Sequence, residues 1–266
     1  MLDRIRYPVV ELRQYTLRPG QRDALIALFD REFVESQEAE GMTVVGQFRD
    51  LEQPDRFVWI RGFDDMPGRA RALRGFYSSP AWKAHSAEAN ATMLDTDDVL
   101  LLRPATAHSG FPAPDRPRPP AGHTAAGSDG SAGSAGSAGS DGSAGSAGQS
   151  RILVTLYFGD RPFSPSFAGF FDHHVRPVLT ETGAAPLACL QTEYSENTFP
   201  ALPVRTGEHV FAWLARFDRP ADLSCHLRLL GESGPWRDSV LPALSAMLTR
   251  APQQLQLAPT DRSWLR

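Results

Sequence analysis

The stretch VVELRQYTL, Val9 to Leu17, carries two sets of side chains in strict alternation. Val10 and Leu12 share one face, and Glu11, Arg13 and Tyr15 share the other, which is the period-two pattern of a β-strand. A Pro19-Gly20 turn ends it. From about Gln21 to Glu40 the apolar residues Leu25, Leu28, Phe29 and Phe33 recur with helical spacing, and Gly41 supplies a C-terminal stop. Strand-like GMTVVGQFRD and RFVWIRGFD follow, separated by a Pro54-Asp55 turn. A helical region from about Pro67 to Leu94 is interrupted near Ser78-Ser79-Pro80, and DDVLLLRP closes the unit as a strand. The predicted order is βαββαβ.

The far half of the chain repeats this order. ILVTLYFG is followed by a helix whose stripe is Phe167, Phe170, Phe171, His174, Val175 and Val178, and then by APLACLQTEY. After a longer loop come EHVFAWLARFD, a helical region and QQLQLAP. At an offset of 142 residues Tyr15 meets Tyr157, Phe29-Asp30 meets Phe171-Asp172, and Gly41 meets Gly183. At an offset of 154 Phe57, Trp59, Phe63 and Asp64 meet Phe211, Trp213, Phe217 and Asp218, while Trp82 meets Trp236. Two constant offsets separated by one insertion, in the loop between the second and third strands of the second copy, mark an internal duplication.

Composition divides the 266 residues in the same way. Residues 1–104 and 151–266 have globular character, whereas 105–150 turn Pro-rich and then into a Gly-Ser-Ala repeat. Such a stretch buries too little apolar surface to offset its ordering entropy, so it reads as a disordered tether. With 27 Lys and Arg against 31 Asp and Glu, the net charge of −4 gives no footprint for nucleic acid or an anionic membrane. No run approaches the roughly 20 apolar residues of a membrane span, and no secretory leader is visible at the N-terminus. A cytoplasmic location is the resulting expectation. Cys189 and Cys225, the only cysteines, cannot form a cage for a metal.

A βαββαβ unit places both helices on one face of a four-stranded sheet and leaves the other face bare. The expected fold is α+β: two ferredoxin-like repeats packed sheet to sheet within one chain, each covering the other. By alternation, Val58, Ile60 and Gly62 are assigned to the helix-covered face, and Phe57, Trp59, Arg61 and Phe63 to the space between sheets. Glu11, Arg13 and Tyr15 go with the latter set. The second copy keeps the aromatics (Tyr157, Phe211, Trp213, Phe217) but replaces Glu11, Arg13 and Arg61 by Leu153, Thr155 and Ala215. An aromatic chamber with a polar wall on one side is the expected small-molecule site. A self-satisfied ion network in a filled aromatic core is the alternative.

VELRQYTLRPG (Val10–Gly20), VGQFRD (Val45–Asp50), FVWIRGFDD (Phe57–Asp65) and FYSSPAWKAH…ANATM…DDVLLLRP (Phe76–Pro104) resemble the NIPSNAP family across the first copy. The resemblance implies the dimeric α/β-barrel superfamily, which includes cofactor-free monooxygenases, haem-degrading enzymes and isomerases. It brings no settled catalytic residues with it. The expected ligand is a small, largely apolar, anionic or aromatic metabolite, and any reaction a cofactor-independent oxidation or rearrangement. Substrate-binding candidates are Arg13, Arg61, Glu11, Trp59, Phe57 and Trp213. Tyr15 is the expected hydrogen-bond donor, and His85, on a helix near Trp82, the expected proton exchanger. No metal or cofactor is expected, with a haem held by His174 as the alternative to a core histidine. The second functional reading is a non-catalytic binding module with a filled barrel. Beyond the intrachain pairing, further homodimerisation stays open.

Overall fold

The computed structural model describes residues 6–114, 116–121 and 150–266. The first repeat runs β1 (Val9–Leu17), a helix over residues 22–39, β2 (Thr43–Asp50), β3 (Arg56–Phe63), the helices Met66–Ser78 and Pro80–Thr92, and β4 (Met93–Pro104). The second runs β5 (Arg151–Gly159), a helix over residues 165–181, β6 (Ala188–Thr192), β7 (His209–Phe217), helical segments Pro220–Glu232 and 236–245, and β8 (Gln253–Pro259). Local chemistry explains the boundaries. Gly41 and Gly183 take φ of 89° and 96° directly after the first helix of each repeat, a conformation only glycine adopts freely. Asp65 and Ser79 accept hydrogen bonds from Gly68 N and Trp82 N, capping two successive helices, and a proline stands in the first turn of each.

All eight strands join into one closed antiparallel barrel in the order β1-β3-β2-β8-β5-β7-β6-β4. Each repeat contributes a sheet with its first strand central, and the repeats meet along two short seams. Phe48 to Asp50 pair with Leu257 to Pro259, and Leu102 to Pro104 pair with Leu190 to Thr192. Closure leaves no free sheet edge. The two repeats therefore share hydrogen bonds as well as a core.

The faces are the reverse of the sequence expectation. The barrel interior holds Val10, Leu12, Val58, Ile60, Leu100 and Leu102 from the first repeat, against Ile152, Val154, Leu156, Val210, Ala212 and Leu214 from the second. Glu11, Arg13, Tyr15, Phe57, Trp59 and Arg61 lie on the opposite face, beneath the helices. The physical reason is space. An eight-stranded barrel is just wide enough for side chains to fill it, so branched aliphatics suit the interior. Helices stand farther off the sheet, and large rings and guanidiniums fit beneath them. At one interior position even a methyl group is excluded: a Cβ on Gly62 would fall 2.5 Å from the Tyr7 ring.

The expected tether also differs where it is described. Phe111 is buried in the barrel core, Ser109 Oγ donates to Cys189 O at 2.7 Å, and Arg118 binds Glu38 and stacks on Trp264. Arginine and proline together dock this segment: Arg262 Nε donates to Pro119 O and Arg266 Nη2 to Pro117 O. Disorder beginning at residue 105 therefore does not hold for 105–114 and 116–121. The Gly-Ser-Ala repeat lies outside the described residues.

The first helix of each repeat contains a π-turn at the same place, Phe29–Phe33 and Phe171–Val175. The extra residue per turn shifts the helical phase, and His174 is exposed against Phe170 instead of joining the apolar stripe. A core role for His174 is thereby corrected. An exposed imidazole on the outer surface offers no enclosed site for a haem. No helix among the described residues is long and apolar enough to cross a membrane.

Candidate functional site

Strands β1 and β3 place Glu11 opposite Arg61, Arg13 opposite Trp59 and Tyr15 opposite Phe57, all facing the helices. Arg69 joins them from the Met66–Ser78 helix, where it occupies a core position alongside Leu73 and Phe76. Glu11, Arg13, Arg61 and Arg69 are each 0% exposed. Glu11 Oε2 accepts from Arg13 Nη1 and Arg61 Nε, both at 2.7 Å, and Oε1 accepts from Arg69 Nε at 2.5 Å. Burial alone would raise the Glu11 carboxyl. The guanidiniums of Arg61, Arg13 and Arg69 outweigh it and hold the group well below the usual carboxylate range.

Three guanidiniums around one carboxylate leave two positive charges in excess. Their remaining partners are neutral. Arg13 Nε donates to Tyr15 Oη at 3.0 Å, Arg61 Nη1 to Gln37 Oε1 at 3.1 Å, and Arg69 Nη1 to Asn197 Oδ1 at 2.9 Å. Arg13 and Arg61 also stack at 5.5 and 4.9 Å from the Trp59 ring centre. Arg13 Nη2, Arg69 Nη2 and Trp59 Nε1 are buried donors with no acceptor among the described residues. An unmatched buried charge costs several kcal/mol, so this cluster is costly as it stands.

A cavity of about 110 Å³ adjoins it, between sheet and helices. Tyr15, Trp59 and Gln37 form the polar side, and Phe29, Phe33, Phe76, Tyr77 and Trp82 the aromatic walls. The rings interlock edge to face; Phe29 lies 4.9 Å from Trp59 and Tyr77 lies 4.8 Å from Trp82. The π-turn begins at Phe29 and ends at Phe33, so the widened turn presents two of these walls. Leu202, from the long loop after β6, closes one side. An engineered apolar cavity of about 150 Å³ accommodates benzene, so a single ring is the size class here once lining side chains adjust. Because Arg13 donates to the Tyr15 oxygen, the Tyr15 proton remains to be given to a ligand.

The structure thus gathers Glu11, Arg13, Arg61, Tyr15 and Trp59 at one place, but beneath the first repeat's helices. Phe57 packs on Phe29 at 5.4 Å in the adjoining core, outside the cavity wall. Trp213 lies in the second repeat's helix layer, where its Nε1 donates to Tyr157 Oη at 3.0 Å. His85 is not in the cavity wall and is partly exposed, with Nε2 3.4 Å from Glu32 and Nδ1 3.9 Å from Glu88. Sequence reasoning missed Arg69, Gln37, Tyr77 and Leu202. Arg69 did leave a signal: it interrupts the apolar stripe of its helix, and at the 154 offset it meets Leu223. Among the described residues no group of three or more His, Cys, Asp and Glu could hold a metal ion. Burial pushes the Cys189 thiol up to about 12, unlike a nucleophilic cysteine.

Comparison with solved structures supports the architecture. The chain is similar to a candidate monooxygenase of Fusobacterium nucleatum subsp. nucleatum, at 9% identity and a TM-score of 0.52, over 95% of this chain and 92% of that one. It is also similar to an anthrone oxidase-like protein, at 12% identity and a TM-score of 0.51, over 95% and 91% of the two chains. A NIPSNAP protein of unknown function from Agrobacterium tumefaciens matches 38% of this chain and 94% of its own, at 20% identity and a TM-score of 0.35. No curated protein matches. Residues 10–107 match the NIPSNAP family model. That match falls on the first repeat, and the barrel it belongs to is closed by the strands of the second.

Proposed function

We propose that the cavity beneath the helices of the first repeat binds a small aromatic molecule carrying an acidic oxygen. The observation that carries this reading is the excess of two buried positive charges behind a neutral polar floor. Arg13 acts through Tyr15, and Arg61 through Gln37 and the Trp59 ring, so negative charge at the floor is favoured in a low-dielectric site. The same arrangement favours a reaction that develops such charge. A delocalised anion of the bound compound, on the way to a cofactor-independent oxidation or rearrangement, is the species that such a floor would stabilise. Tyr15 is the hydrogen-bond donor in this scheme. His85 lies away from the floor and takes no direct part.

Isothermal titration of the full chain with benzoate and with benzyl alcohol tests the reading. Benzoate is expected to bind at least tenfold more tightly, and Tyr15→Phe to reduce that preference. Equal affinities, or binding of neither compound, would overturn it. The non-catalytic alternative has its own support, since the barrel interior is filled by aliphatic side chains with Tyr7, Phe48, Phe111 and Phe158 among them. Binding without turnover of any acidic aromatic compound in the presence of dioxygen would favour it.

A further inference from the structure

The loop at residues 193–208 has no counterpart of its length in the first repeat, where residues 51–55 make the same connection. It belongs to the second repeat by sequence and keeps contacts there, Tyr194 with His209 and Arg205 over Phe158, yet its middle stretch lies on the first. Its two ends are fastened to β4: Glu193 N donates to Leu101 O at 2.9 Å, Arg205 N to Val99 O at 2.8 Å, and Arg205 Nη1 to Asp98 at 3.0 Å. The part between reaches the cavity by three routes. Asn197 Oδ1 and Thr198 Oγ1 accept from Arg69 Nη1 at 2.9 and 3.3 Å. Phe199 stacks on Tyr77 with ring centres 5.7 Å apart and planes 20° from parallel. Leu202 is itself a cavity wall. Asn197 couples these routes, because its Nδ2 donates to Leu202 O at 2.9 Å while its Oδ1 also accepts from Phe199 N at 3.1 Å.

We infer that residues 197–202 are the specificity-determining wall of the first repeat's cavity, supplied across the barrel by the second repeat. The inference rests on the binding reading above and deepens it. Leu202 sets how long a ring system the cavity admits. Asn197 and Thr198 are positioning residues: they hold Arg69 against Glu11, so that an acidic oxygen is preferred to a neutral one. The ligand class is a one-ring aromatic acid, and the loop rejects larger homologues.

The test is titration calorimetry of the full chain with benzoate, benzyl alcohol and 2-naphthoate, for the wild type and for Leu202→Ala, Leu202→Trp and Asn197→Ala. Removing or adding bulk in an apolar pocket changes discrimination by about tenfold or more. Leu202→Ala is therefore expected to raise 2-naphthoate affinity about tenfold relative to benzoate, and Leu202→Trp to weaken both. Asn197→Ala is expected to weaken benzoate at least fivefold and leave benzyl alcohol unchanged, a split that a merely structural role would not give. Should Leu202→Trp fail to fold, the two alanine variants decide the matter. Wild-type binding of benzoate with no change in these ratios overturns the inference alone. Wild-type indifference to all three compounds overturns the binding reading and the inference together.

Discussion

The two repeats share a backbone plan but differ in what lies beneath their helices. In the first, Glu11, Arg13, Gln37, Arg61, Arg69, Tyr77 and Asn90 bring polar and charged groups to the aromatic layer. At the matching positions the second has Leu153, Thr155, Leu179, Ala215, Leu223, Gly231 and Leu244. Its aromatics fill the layer instead, with Phe211 within 5.1 Å of both Phe167 and Phe171. The one conserved polar pair has also been rewired. Tyr15 accepts from Arg13 while Trp59 Nε1 is left without an acceptor, whereas Trp213 Nε1 satisfies Tyr157 directly. The second half shows that a layer of this plan packs without charges. The charges in the first half are therefore not required by the shared backbone plan.

The largest effect is expected from Glu11→Gln, which strips from three buried guanidiniums the one carboxylate they share among the described residues. Breaking a buried pair in this way costs about 3–5 kcal/mol, measured as the loss of unfolding free energy in urea. The comparison sharpens if the whole cluster is exchanged for its counterparts: Glu11→Leu, Arg13→Thr, Arg61→Ala and Arg69→Leu together. Replacing a buried ion network by apolar groups is often neutral or stabilising, so this quadruple variant is expected to be more stable than Glu11→Gln and to bind no benzoate. If it is the less stable of the two, the charges hold the fold and the contrast between the halves has been misread.

Asp30 and Asp172 offer a pH-dependent version. Asp172 pairs with Arg176 at 2.8 Å on the surface, but burial raises the Asp30 carboxyl to about 6, against opposition from Arg262. A carboxyl raised on folding binds its proton more tightly in the native state. Its favourable contribution is complete below the unfolded value near 3.8 and is lost as pH rises through about 6. Asp30→Asn should therefore raise Tm at pH 7.5 and leave it nearly unchanged at pH 3.5, while Asp172→Asn shows no such gain. Differential scanning calorimetry at the two pH values decides it.

The smallest effect concerns the tryptophans. Trp213→Phe removes the hydrogen bond to a buried Tyr157 and is expected to cost about 1–3 kcal/mol beyond the change in packing. Trp59→Phe removes a donor that has no acceptor and should cost less. Equal losses in chemical denaturation would show that the rewiring carries no energy.

How far this could be read in advance depended on the kind of signal. Alternation in Val9–Leu17, the glycines at 41 and 183, and the two offsets located the elements and the duplication, because each is a local or periodic consequence of backbone geometry. Alternation also separated Glu11, Arg13 and Tyr15 from Val10 and Leu12 correctly. It could not say which set faced the helices, since both faces are buried and neither is marked by contact with water. Arg69 was legible as a charge on an apolar stripe. Leu202 was not, because a loop that crosses to another repeat leaves no periodic trace. His174 misled through the π-turn, whose extra residue breaks the phase on which stripe assignments rest.

Covalent fusion of the repeats has a consequence for how such a protein can change. In an assembly of two identical subunits every substitution appears twice, so a loop grown to reach across would also alter the copy it came from. Here one half could discard its polar groups and lengthen a connection while the other kept its own unaltered. Symmetry was given up in sequence but retained in the backbone, and that freedom lets donor and recipient evolve separate duties inside a single barrel.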